Sequence, residues 1–115
     1  MTEKTVLVVD DEPEIRDSLR DVLEDEGYRV HLAANGKEAL AQLRTLQPPL
    51  AMILDIIMPV MSGTELYAAM QADPQLAAVP LIISTSDPSR APSGALIMKK
   101  PIDLQRLLVA IARLF

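Results

Sequence analysis

The chain has 115 residues, half of them apolar, with 11 Lys and Arg against 16 Asp and Glu, a formal net charge of −5. That length suits one domain over residues 1–115. The lack of cysteine excludes disulfides, zinc thiolates and thiol nucleophiles, and the acidic balance disfavours binding to a nucleic-acid backbone, which needs a basic surface.

The apolar run that follows Lys4 is too short for a signal peptide or a membrane span, so the expected location is the cytoplasm, with no membrane partner. That run, 6–9, has the continuous apolar character of a strand buried on both faces of a parallel sheet. It ends on Asp10, Asp11 and Glu12. Pro13 then opens a helix in which Ile15, Leu19, Val22 and Leu23 share one face, with Arg16, Asp17, Arg20 and Asp21 off it. Proline fits the first helical turn, and Gly27 supplies the stop. The run 28–33 alternates in part, as an edge strand does, and carries His31, the only histidine, which is expected to be a surface or edge residue. A second helix is predicted over 37–46, with Leu40, Leu43 and Leu46 inward, before Pro48 and Pro49.

The run 50–54 is a further buried strand, closed by Asp55. Ser62 with Glu65 three residues on forms a capping box for a third helix that turns Leu66 and Met70 inward. The run 81–83 reads as a strand followed by Ser84, Thr85 and Ser86, and 95–98 as one followed by Lys99 and Lys100. The last helix spans about 103–115, with Leu104, Leu107, Leu108 and Ile111 as its stripe. The segment 84–94 holds Pro88 and Pro92 and shows no apolar period, so a fourth helix is short or absent there.

Strands and helices alternate, which implies right-handed crossovers and a parallel sheet covered on both faces. Ligands of such sheets bind beyond the carboxyl ends of the strands. The polar residues there are Asp10, Asp11, Asp55, the hydroxyls after 83, and the lysine pair. Two carboxylates about 4 Å apart repel by roughly 4 kcal/mol at an effective dielectric near 20. A cation among them removes that cost, and hard oxygen ligands with room for water suit Mg²⁺.

The sequence Val6, Leu7, Val8, Val9, Asp10, Asp11, Glu12, the sequence Leu54, Asp55, Ile56, Ile57, Met58, Pro59 with Gly63, then Thr85 thirty residues after Asp55, and Lys100 before Pro101, form one ordered set. With them the whole chain resembles the receiver domain of two-component response regulators, in the manner of single domains like the chemotaxis regulators. The resemblance implies a flavodoxin-like (βα)5 fold, a doubly wound parallel sheet of five strands. It implies that Asp55 accepts a phosphoryl group from a histidine kinase or a histidine phosphotransfer protein. Asp10, Asp11 and Asp55, with the backbone carbonyl of Ile57, would hold Mg²⁺. Thr85 would donate its hydroxyl to a phosphoryl oxygen, and Lys100 would pair with Asp55 before transfer and with the phosphoryl group after it. Gly63 is expected to permit a backbone angle closed to other residues.

Such a domain, standing alone or cut from a longer regulator, is a switch acting on a downstream protein rather than a metabolic enzyme. Ser84 competes with Thr85 for the hydroxyl role, and Lys99 with Lys100, where Pro101 favours Lys100. The chain departs from the family pattern in two places: only fifteen residues separate Thr85 from Lys100, and Ile97 stands where an aromatic is usual. The segment 86–94 is therefore expected to carry the response to phosphorylation. One rival is a module of the same fold that binds partners without phosphate. Another is a Mg²⁺-dependent phosphatase with an aspartyl nucleophile, but Asp55 is followed by Ile56 and Ile57 rather than by an Asp-x-Asp pattern, and 115 residues leave no room for a cap.

Overall fold

The computed structural model describes residues 3–92 and 95–115. Five parallel strands, β1 (Thr5–Val9), β2 (Arg29–Ala33), β3 (Leu50–Asp55), β4 (Leu81–Thr85) and β5 (Leu96–Lys99), form one sheet in the order β2-β1-β3-β4-β5. The helices are α1 (Pro13–Asp25), α2 (Gly36–Leu43), α3 (Gly63–Gln71), the single turn α4 (Pro74–Ala77), and α5 (Leu104–Leu114). The two strands with unbroken apolar runs, β1 and β3, lie side by side at the centre and are buried along their whole length. The partly alternating β2 is an edge strand, with Arg29 exposed.

Strand alternation sorts the side chains into two cores. On one face Leu7, Val9, Met52, Leu54 and Ile83 pack under Ala39, Leu43, Leu66, Met70 and Leu76 of α2, α3 and α4. On the other, Val6, Val8, Ile53 and Ile82 pack under Leu19 and Leu23 of α1 and Leu107 and Ile111 of α5. Each such aliphatic side chain contributes about 1.5–3 kcal/mol when fully buried.

The local signals act largely as the sequence implies. Pro13 occupies the first turn of α1, Gly27 takes φ +92° beyond its end, and Ser62 and Glu65 close both halves of the capping box on α3. Helix α2 differs from expectation by stopping at Leu43 rather than at Leu46. The amides of Thr45 and Leu46 both donate to the Gln42 carbonyl, as does the Thr45 hydroxyl at 3.0 Å, so the chain tightens into a turn. Leu46 still packs against the core from outside the helix. The turn α4 was not expected: Asp73 accepts the Gln75 amide at 3.0 Å, Pro74 starts the turn, and Leu76 enters the core.

Between β4 and β5 the described residues hold one 3-10 turn, Pro88–Arg90, capped by Asp87. The fourth helix of the expected fold is thus reduced to a turn among the described residues; Ser93 and Gly94, part of the segment 86–94, lie outside them. On β5, Leu96 is 48% and Ile97 37% exposed. Among the described residues, no helix is long and apolar enough to cross a membrane.

Candidate acceptor and metal site

Val9 of β1 and Leu54 of β3 are register partners, so the next residues, Asp10 and Asp55, stand side by side at the carboxyl edge of the sheet. Both are buried, at 2% and 5% exposure. Each carboxylate has one oxygen tied down by the amide two residues on: Asp10 Oδ1 accepts from Glu12 at 2.9 Å, and Asp55 Oδ1 accepts from Ile57 at 3.1 Å. This local turn, which short acidic side chains favour, leaves both Oδ2 atoms for Lys100, whose Nζ donates to Asp10 at 2.8 Å and to Asp55 at 3.3 Å. The exposed Asp11 offers an oxygen that lies, with one each from Asp10 and Asp55, in a group no more than 4.8 Å across. Arg16 Nη1 donates to the Asp10 backbone carbonyl at 2.7 Å and pins the end of β1. Its place off the apolar face of α1 gave no hint of that contact.

Burial pushes the pKa of Asp55 upward; the Ile57 amide opposes this, the Asp10 charge adds to it, and Lys100 opposes it, with a net rise. Burial alone would lower Lys100, but its hydrogen bond to Asp10 and the charges of Asp10 and Asp55 outweigh that effect, and its pKa is raised. The side chain therefore remains an ammonium. When ionised, three carboxylates facing one ammonium leave an excess of two negative charges. The donors are hard oxygens on separate strand ends, a set whose chemistry fits Mg²⁺.

Of the two competing lysines, Lys100 is the one brought to the carboxylates, while Lys99 is exposed on β5. Thr85 is fully buried, and its hydroxyl accepts from the Asp87 amide at 3.1 Å and donates to the Asp87 carbonyl at 3.4 Å. Ser84 is also buried, with no hydrogen-bond partner for its hydroxyl.

The role expected of Gly63 needs correction. Its φ does not lie in the left-handed region, which is occupied instead by Val60 at 49° and Met61 at 68°. Glycine is required at 63 by close approach: a Cβ there would overlap the Asp55 carbonyl oxygen and stand 2.6 Å from Ile56 Cα. The Gly63 amide donates to the Ile56 carbonyl at 2.9 Å, and the Gly36 amide to the Met61 carbonyl at 3.0 Å. A Cβ on Gly36 would stand 2.7 Å from Met61 Cγ. The loop after Asp55 is thus clamped at two points by backbone contacts that only glycine allows.

The family model for the response regulator receiver domain matches residues 6–112. The chain is 42% identical over 86 residues to an uncharacterized 14.6 kDa protein of Leptolyngbya boryana, covering 75% of this chain and 65% of that one. It is 35% identical over 81 residues to the DNA-binding response regulator MtrA of Mycolicibacterium smegmatis, covering 70% and 34%. It thus spans less than two thirds of the length of these curated relatives. Among solved structures, it matches the chemotaxis response regulator CheY4 of Vibrio cholerae with a TM-score of 0.87 at 33% identity, over 99% of this chain and 100% of that one. It also matches the response regulator TrrA of Thermotoga maritima, solved in complex with Mg²⁺ and BeF, with a TM-score of 0.85 at 31% identity, over 97% and 99%. The matched stretch runs from β1 into α5 and takes in all three clustered carboxylates and the lysine that joins two of them; the chain belongs to the response regulator receiver domain family of two-component systems.

Proposed function

We propose that residues 1–115 form a phosphoacceptor domain in which Asp55 takes a phosphoryl group from a phosphohistidine on a histidine kinase or a histidine phosphotransfer protein. The observation that carries this reading is the joining of Asp55 to Lys100 beside Asp10 and Asp11 at one sheet edge. In the transfer, an Asp55 carboxylate oxygen attacks phosphorus in line, the new P–O bond forms, and the bond to the imidazole nitrogen breaks. Such a transfer needs positioning and charge neutralisation more than covalent help. The Ile57 amide fixes one Asp55 oxygen and so orients the other. Lys100 passes from the carboxylate to the phosphoryl oxygens. Thr85 gives up its 3.4 Å contact to the Asp87 carbonyl and donates to a phosphoryl oxygen.

Asp10, Asp11, Asp55 and the Ile57 carbonyl would hold Mg²⁺, which would supply positive charge for the developing phosphoryl oxygens. The complex of TrrA with Mg²⁺ and BeF supports this part of the reading. A groove of about 550 Å³ beside Lys100, lined by Ile15, Leu19, Pro101, Ile102 and Leu104, offers an apolar footing to a protein donor. The family is one of signalling rather than metabolic catalysis, so the product is a changed surface presented to a downstream protein in the cytoplasm, with no contact to nucleic acid by this domain.

Intact-mass measurement after incubation with acetyl phosphate and Mg²⁺ tests the proposal. The native chain gains one phosphoryl group and Asp55→Asn gains none. Undiminished labelling of Asp55→Asn refutes the assignment of the acceptor. Failure of both to react favours a phosphate-independent interaction module of the same fold.

A further inference from the structure

Ser84 is 1% exposed, and its hydroxyl is the buried side-chain group without a hydrogen-bond partner among the described residues. Buried hydroxyls are seldom left unpaired in native proteins, so the position needs a reason. Register supplies one. Ser84 lies opposite Asp55 on β3 and opposite Met98 on β5. Ile53, Ile82, Val8 and Met98 all pack into the core under α1 and α5, and alternation turns Asp55, Ser84, Asp10 and Lys100, each two residues further on, toward that same face. Across the strands the rung reads Asp10, Asp55, Ser84 and Met98, and Lys100 lies two residues beyond Met98 on the same face.

Adjacent strands are about 4.8 Å apart, so β5 stands roughly 10 Å from β3. A lysine rooted after β5 whose Nζ is 3.3 Å from Asp55 and 2.8 Å from Asp10 must cross β4, and Ser84 is the β4 residue that stands beside Asp55, where the ammonium ends. An ammonium has three protons to donate. The two carboxylates take two of them.

We propose that Ser84 is a positioning residue for Lys100, its hydroxyl oxygen accepting the ammonium when a divalent cation engages Asp10. The inference rests on the metal site of the proposed function. Cation and ammonium compete for the same oxygens, and Asp10 Oδ2 holds the shorter of the two lysine contacts. An ammonium that leaves Asp10 withdraws along its own tether toward β5, over β4 and the Ser84 hydroxyl. Thr85 does not serve this purpose before phosphoryl transfer, because its hydroxyl is then engaged with Asp87.

A double-mutant cycle read by Mg²⁺ calorimetry on the whole chain tests the role. Ser84→Ala is expected to bind Mg²⁺ about tenfold more weakly than the native chain, the size of one lost hydrogen bond to a charged group. Lys100→Met, with no ammonium to displace, is expected to bind more tightly than native, and adding Ser84→Ala to it should change nothing. Equal weakening in both backgrounds, or none in either, overturns the role of Ser84 while leaving the metal site in place. A native chain that takes up no Mg²⁺, or an Asp11→Asn variant that binds it as tightly as native, overturns the metal site and the role of Ser84 together. If Ser84→Ala does not fold, Ser84→Cys, of similar volume and a weaker acceptor, replaces it in the cycle.

Discussion

Replacing Gly63 with alanine should damage the fold and the acceptor at once. The new methyl would overlap the Asp55 carbonyl oxygen and lie 2.6 Å from Ile56 Cα and 3.0 Å from the Asp55 carbonyl carbon. All three atoms belong to the backbone that ends β3, so no side-chain rotation relieves the clash. Helix α3 must lift from the strand, and its bond from the Gly63 amide to the Ile56 carbonyl, 2.9 Å long, is strained or lost. Overpacking typically costs about 1–3 kcal/mol, and a collision between rigid backbones belongs at the upper end of that range. Alanine's helical preference over glycine offsets roughly 0.5–1 kcal/mol at most. The net loss is about 2–2.5 kcal/mol, which for a chain of this length lowers Tm by on the order of 10 °C. Urea and thermal unfolding in a chelating buffer measure it. Gly27→Ala is the control: there φ is +92° but no atom lies within 4 Å of the added methyl, so it pays only the conformational penalty of about 1–2 kcal/mol. Because Asp55 bears the colliding carbonyl, Gly63→Ala should also slow acetyl phosphate labelling at saturating Mg²⁺. A Gly63→Ala chain less than 1 kcal/mol below native in stability, labelled at the native rate, would refute the close-approach argument.

Two further outcomes follow from the site and its loop. Burial raises the Asp55 pKa above its ordinary 3.8, so between those two values the metal-free native state binds more protons than the unfolded chain, and its stability falls as pH rises through that window. Asp55→Asn should therefore melt above the native chain at pH 7 in chelator, and the gap should close as pH falls toward 4; a gap that does not vary with pH contradicts this. Val60 is a β-branched residue held at φ 49° and is 62% exposed, so Val60→Asn, which tolerates that conformation, should gain about 1 kcal/mol in urea unfolding; an unchanged midpoint would show that the loop carries no such strain.

How much of this was legible in the sequence depends on the period over which each signal repeats. Residues 6–9 and 50–54 declare themselves because both faces of β1 and β3 are buried, which leaves no polar residue to confuse the pattern. Ser62 and Glu65 mark the start of α3 by a local exchange of hydrogen bonds that needs no tertiary context. The turn Pro74–Ala77 escaped because four residues show no helical period; Asp73 before Pro74 was its only sign. The apolar period of α2 runs on past the helix end because Leu46 is apolar and packs against the core from the turn, while the choice between helix and turn is made by bonds to the Gln42 carbonyl. At the site, the ordered set from Asp10 to Lys100 was visible. That Arg16 turns back from α1 to the Asp10 carbonyl depends on how that helix sits against the end of β1, and that Ser84 shares the face and rung of Asp55 depends on strand register, which no single stretch of sequence records.

Asp10 and Lys100 touch although ninety positions separate them along the chain, and the strand that delivers the lysine lies at an edge of the sheet, four residues long with three of them exposed. The carboxylates ride on β1 and β3, whose separation would amount to unfolding the domain. Three of the four residues of β5 being already exposed, its peeling from β4 sits low among the partial openings available to the molecule. In that opened form the acids remain gathered while the ammonium is gone. A polypeptide still being synthesised passes through the same condition until β5 has been made and docked. On the proposed reading, the site is therefore complete only once β5 has joined the sheet.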